Sequence, residues 1–154
     1  MQKFIKSFRD LDVFQNTYKA SILMMTRVIP KLPNSERFDL KDQLSRSCKA
    51  PPRLIAEGYA KKHQRAGFQK YLDDAMAECN ETIVGLEQIK DIYHIEPELC
   101  DQLIDLYDKS ARQLFKLAAA WDNFKTPRRQ TTPTTDTSSD TVNDTDTSSD
   151  NHAV

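Results

Sequence analysis

Apolar residues recur every three or four positions in four stretches of the first 125 residues, and nowhere alternate as a half-buried strand would. In the first stretch Leu11, Phe14, Tyr18, Ile22, Met25 and Ile29 fall within an arc of roughly 80° on a helix. Ser7-x-x-Asp10 has the form of a capping box and predicts the helix start. Pro30 and Pro33 predict its end. In the second stretch Asp39 is the expected N-cap, and Leu40, Leu44, Cys48, Pro51, Ile55 and Tyr59 form the apolar face. Pro51 and Pro52 each remove an internal hydrogen bond, and Pro51 biases Ala50 away from helical angles, so a kink or short break is expected there.

The third stretch runs from about Phe68 to Tyr93, with Phe68, Leu72, Ala75, Cys79, Ile83 and Leu86 on one face. Gly85 in its middle costs about 1 kcal/mol against alanine, which predicts a neighbouring backbone packed close by. The fourth begins with Pro97 in its first turn, where a missing N–H is harmless. It carries two stripes. One is Leu99, Leu103, Leu106, Leu114, Leu117, Trp121 and Phe124, interrupted by Ser110; the other is Cys100, Ile104, Tyr107, Ala111, Phe115 and Ala118. Together they span about 180°, wider than the roughly 100° of a one-sided helix. This helix is therefore expected to lie centrally in the fold or to bury a second face against another subunit. The short connections predict an all-α, antiparallel up-down-up-down four-helix bundle.

The pattern stops at residue 125. Of 59 hydrophobic residues in the 154-residue chain, 56 lie in residues 1–125 and only Val142, Ala153 and Val154 in residues 126–154. The latter segment holds nine Thr, four Ser and five Asp, and Asp-Thr-Ser-Ser-Asp occurs at 136–140 and again at 146–150. Such a composition cannot bury enough apolar surface to offset chain entropy, so it reads as a disordered acidic tail. Residues 1–125 are the expected bundle domain.

No catalytic constellation is visible. His63, His94 and His152 are scattered, and no His-x-x-x-His or Glu-x-x-His pair exists to ligate a metal inside a bundle. Cys48, Cys79 and Cys100 fall on or beside apolar stripes, as structural cysteines do, and their odd number and wide spacing speak against a disulfide framework and fit a reducing compartment. Gly58, Gly67 and Gly85 make no phosphate-cradling loop. Tyr18, Met25, Phe68 and Trp121 stand at core spacing and are expected to serve packing. No apolar run approaches a membrane span, and no signal-peptide core follows Met1. The expectation is a cytoplasmic protein without enzymatic activity, cofactor or metal.

Charge separates the chain more sharply. The formal net charge is −1, which excludes a uniform polycation, yet residues 1–70 carry +9, residues 71–125 carry −7 and the tail −3. Arg46, Lys49 and Arg53 lie within about 60° of one another on the second helix, opposite its apolar face. Lys61, Lys62 and Arg65 follow in the next connection. Clustered cations of this kind gain affinity for phosphate by releasing counterions. Asp42 and Glu57, four residues from Arg46 and Arg53, would partly neutralise the ridge, and the acidic helix with Asp73, Asp74, Glu78 and Glu81 is an alternative partner for it.

These residues together resemble the bacterial four-helix-bundle proteins named for the open reading frame within 23S rRNA intervening sequences. Ser7-Phe8-Arg9-Asp10-Leu11-Asp12-Val13-Phe14-Gln15 is similar to the family's opening, with Phe14 where Trp is usual. Phe38-x-Leu-x-x-Gln43-Leu44-x-Arg46, Pro52-x-x-Ile55-Ala56-Glu57-Gly58-Tyr59 and Phe68-x-x-Tyr71-Leu72-x-x-Ala75 resemble its later strings. Ala50-Pro51-Pro52-Arg53-Leu54-Ile55 departs from the family's usual Ser-Ile-Pro-Ser-Asn-Ile. The resemblance covers roughly residues 7–125. It implies a ring-shaped homo-oligomer, typically a pentamer, with no enzymatic activity. It also implies kinship with the accessory protein of diversity-generating retroelements, which binds nucleic acid and a reverse transcriptase through a basic surface. The expected function is thus binding of structured RNA, or of a ribonucleoprotein partner such as a reverse transcriptase, with Arg46, Lys49, Arg53, Lys61, Lys62 and Arg65 as the contacting residues. The alternative is an interaction scaffold whose charged faces serve self-assembly alone.

Overall fold

The computed structural model describes the backbone of residues 4–125 and side chains through Trp121. The tail 126–154, His152 and the side chain of Phe124 lie outside the described residues. Five α-helices follow in order among the described residues: α1 Asp12–Leu23, α2 Leu40–Ser47, α3 Ala50–Ala60, α4 Arg65–Gln88 and α5 Pro97–Lys125. Among the described residues there is no strand, and the fold is an all-α bundle. Short 3-10 turns and two π-turns extend the helices, the π-turns at Met24–Val28 and Ile89–Tyr93.

The helices form four rods, α2 and α3 sharing one. Rod α1 packs on α5 and α3, and α4 packs on α5, α3 and α2. Paired residues rise along one rod as they fall along its neighbour. Asn16 donates to Gln113 while Lys31 pairs with Glu96. The Thr82 and Ser47 hydroxyls share a hydrogen bond of 3.0 Å while Lys61 donates to Tyr71 at 2.9 Å. Lys90 pairs with Asp101 while Phe68 packs on Trp121. Leu44, Cys48, Ile55, Phe68, Leu72, Cys79, Leu86, Leu103, Tyr107 and Leu114 fill the shared core. Each fully buried leucine or phenylalanine contributes roughly 1.5–3 kcal/mol.

Local chemistry adjusts several expectations. The Ser7 capping box is present, with Ser7 Oγ accepting from Arg9 N–H and Asp10 accepting from Ser7 N–H. It opens a 3-10 turn at Phe8–Asp10, and α1 starts only after extended Leu11. Asp39 makes no side-chain cap; Glu36 Oε2 accepts from Leu40 N–H instead, at 3.1 Å. The proline pair produces the expected break, as two helices separated at Cys48–Lys49, with the prolines in the first turn of α3 where their missing N–H groups cost little. The third rod begins at Arg65, a turn before Phe68. His94 closes its π-turn with φ 54°, in the left-handed region.

The largest correction concerns α1. Tyr18 and Ile22, expected in the core, are 54% and 47% exposed. Leu11, Phe14 and Ile29 are buried as expected, but the rest of the buried face is Val13, Thr17, Ala20, Ser21, Met24 and Val28. Small side chains let the rod approach its neighbours, and their hydroxyls need no outside partner. Thr17 Oγ1 donates to Val13 O at 2.8 Å, and Ser21 Oγ donates to Tyr18 O at 2.7 Å. On α5 the second stripe is buried at Cys100 and Tyr107, but Phe115 is 67% exposed. Ser110, the apparent interruption of the first stripe, is buried and donates to Leu106 O.

Glycines set two close approaches. A Cβ on Gly85 would lie 2.3 Å from Leu44 Cδ2, so the neighbour there is a leucine side chain and not a backbone. A Cβ on Gly58 would lie 2.8 Å from Tyr71 Cβ, an atom that cannot yield without moving α4.

Burial raises the thiols of Cys48 and Cys79 to about 11 and about 12, from a usual value of 9.0. The folded state therefore holds these protons more tightly than the unfolded chain. Their contribution to stability is complete below pH 9 and is lost as pH rises from 9 towards 12. The loss is at most about 1.4 kcal/mol per pH unit per thiol.

Two outcomes are expected. Gly58→Ala destabilises the bundle by about 1–3 kcal/mol in urea unfolding, despite alanine's better helix propensity, because overpacking at Tyr71 outweighs it. Unfolding free energy changes little with these thiols between pH 7 and 8 and falls above pH 9. In Cys48→Ala/Cys79→Ala the alkaline slope is shallower.

Candidate nucleic-acid interface

One side of α1 and the π-turn after it form one wall of a groove of about 450 Å³. Phe14, Tyr18, Ser21, Ile22 and Met25 supply that wall, Pro52 and Ala56 of α3 supply the other, and Phe8 completes the lining. Three cations line the same space: Arg9, Lys49 and Arg53. Each is placed by a local cause. Arg9 sits in the capped 3-10 turn, its guanidinium 5.0 Å from the Phe8 ring centroid and its carbonyl accepting from Gln15 Nε2. Lys49 stands at the α2–α3 break, and Arg53 follows it by one helical turn.

Aromatic rings continue the groove towards the end of α3. Phe14 and Tyr18 stack at 5.9 Å with planes 18° apart. Phe8 meets Phe14 edge-on at 4.9 Å and Tyr59 at 6.5 Å. Lys62 Nζ lies 4.1 Å from the centre of the Tyr59 ring. Lys61 Nζ lies 4.8 Å from that of Tyr71 and donates to its hydroxyl. These cation–π contacts fix the direction of long, flexible side chains, for about 0.5–1 kcal/mol each at exposed sites. Trp121 Nε1 donates to the Lys62 carbonyl at 3.0 Å, tying α5 to the α3–α4 connection.

The six residues singled out from sequence are thus divided. Lys49 and Arg53 share the groove. Lys61 and Lys62 stand over Tyr71 and Tyr59, which do not line the groove, and Arg65 opens α4. Arg46 belongs to α2, is not in the groove, and pairs with Asp42 as the i,i+4 spacing predicts. The equivalent Arg53–Glu57 pair does not form among the described residues. Arg9, Tyr18 and Phe8 are groove residues that the sequence pattern does not single out. The available signal was an arginine set among aromatics at the chain's capping turn, with Tyr18 one turn beyond Phe14.

Among the described residues, no group of three or more His, Cys, Asp or Glu is placed to hold a metal. The buried thiols of Cys48, Cys79 and Cys100 are all shifted up by desolvation, which holds them in the unreactive protonated form at neutral pH. No described helix is long and apolar enough to cross a membrane.

Fold and groove define an all-α bundle with a cationic, aromatic-lined face. The chain belongs to the 23S rRNA-intervening sequence protein family, whose model matches residues 9–116. The match takes in every groove residue except Phe8. A search of the curated proteins finds no match to this chain.

Proposed function

We propose that this protein is a non-enzymatic, cytoplasmic bacterial bundle protein that binds structured RNA, or a ribonucleoprotein partner, through its basic face and works as a homo-oligomer, in the manner of a pentameric ring. The observation that carries the reading is the convergence of Arg9, Lys49 and Arg53 on one groove, with Lys61 and Lys62 held over the Tyr71 and Tyr59 rings. Cations gathered around a concave surface serve a polyanion, whereas cations paired along a helix, such as Arg46 with Asp42, neutralise themselves. The family's name, drawn from an rRNA element, agrees with this ligand. Self-assembly is supported by exposed Phe115 of α5, which lies with Ala118, Ala119 and Gln69 in another, smaller groove. The same observation favours a second reading, a scaffold that assembles without nucleic acid.

Fluorescence anisotropy with a labelled hairpin RNA, across a salt series, tests the first reading. The affinity of the wild type should fall steeply with salt. Lys49→Glu/Arg53→Glu should weaken binding by tenfold or more and reduce the log–log salt slope by about 0.7–0.9 for each phosphate no longer neutralised. Arg46→Glu should do much less. Binding that ignores salt, or survives the double reversal, refutes RNA binding at this face. Sedimentation of the same proteins follows assembly: a wild-type monomer refutes the oligomer, and loss of mass in the charge-reversed protein without any RNA affinity supports the scaffold.

A further inference from the structure

We infer that the groove between α1 and α3 takes an unpaired RNA base, stacked on Tyr18, so that the preferred ligand is single-stranded or looped RNA and not a continuous duplex. This rests on the RNA-binding reading and adds to it what the groove selects.

Phosphate binding alone explains the cations but not the surface between them. Phe14 stacks with the Tyr18 ring, and Tyr18 is still 54% exposed as a residue. Ile22, one turn on, is 47% exposed, and Met25 continues the same apolar wall. A duplex presents phosphates at its surface and keeps its base faces stacked inside. It would meet the three cations and leave this wall wet. A splayed base brings both groups that the groove matches: a flat π-face for Tyr18 and a phosphate for Arg9, Lys49 or Arg53. The volume of about 450 Å³ lies within the ~300–1,000 Å³ of small-ligand clefts and suits one nucleotide, not a helix. Tyrosine is also suited to the place. Its ring is held by Phe14, so little freedom is lost on stacking, and the groove demands no particular base edge. Recognition would favour large-faced purines without reading sequence.

The test uses the full chain, labelled oligoadenylate RNA, a blunt RNA duplex of equal length, and the variants Tyr18→Ala, Tyr18→Leu and Tyr18→Phe. Single strand should bind at least tenfold tighter than duplex at the same salt. Tyr18→Ala and Tyr18→Leu should each weaken single-strand binding by about tenfold, a typical loss for one base stack, while Tyr18→Phe retains it. None of the three should alter the salt slope, because no charge is removed. Tyr18 is largely outside the core, so helicity and melting should be preserved.

Equal binding of duplex and single strand, with a normal salt slope and no effect of Tyr18→Ala, overturns the base-stacking inference while leaving RNA binding intact. Absence of RNA binding, or indifference to Lys49 and Arg53, overturns the underlying reading as well. A fall in oligomer mass in Tyr18→Ala also overturns the inference, since the wall would then be a contact between copies of the chain.

Discussion

The shape of the basic face depends on how closely α1 can approach the other rods. That approach is permitted by Thr17, Ala20 and Ser21, which are short, and by hydroxyls that turn inward onto their own helix. A hydroxyl buried without a partner costs about 1–3 kcal/mol, so self-satisfaction is a condition of the packing and not an ornament to it. Once these residues face the core, helical geometry leaves no freedom for the flanks: Tyr18 and Ile22 must emerge beside the groove. A core of small residues thus creates an aromatic surface.

The same arrangement recurs in α4 and α5. Thr82 donates to Glu78 O, and Ser110 donates to Leu106 O. Buried hydroxyls in this bundle mark positions where rods lie close, while the large residues fill the centre. Tyr107 departs from this pattern: its hydroxyl is buried and unpartnered among the described residues. Burial, with Cys48 and Cys79 nearby, raises its pKa well above the ordinary phenol value. It therefore stays neutral in the core.

Much of the architecture was legible as periodicity. Leu40, Leu44, Cys48 and Ile55 do form one buried face, and Phe68, Leu72, Ala75, Cys79 and Leu86 another. The proline pair does break its rod. The phase of α1 was not legible, because a reading that counts hydrophobic residues follows Tyr18 and Ile22 and passes over Thr17 and Ser21. Which of those faces is buried is decided by the neighbours' distance, and local pattern carries no record of it. The site inherits that error. Its cations on α3 are visible as a ridge, but periodicity places Tyr18 and Ile22 in the core with Phe14, and Arg9 stands outside any α-helix on which a ridge could be counted.

The break between α2 and α3 has a further consequence. In an unbroken helix the amides of residues 51 and 52 would claim the carbonyls of Ser47 and Cys48; as prolines they have no hydrogen to offer. The interruption falls between Arg46 and Lys49, and so between a cation that gives its charge to Asp42 and two that turn to the groove. Two rigid rings thereby sort like charges into different duties. Arg46 spends its charge within its own helix surface, and Lys49 and Arg53 leave theirs at the groove.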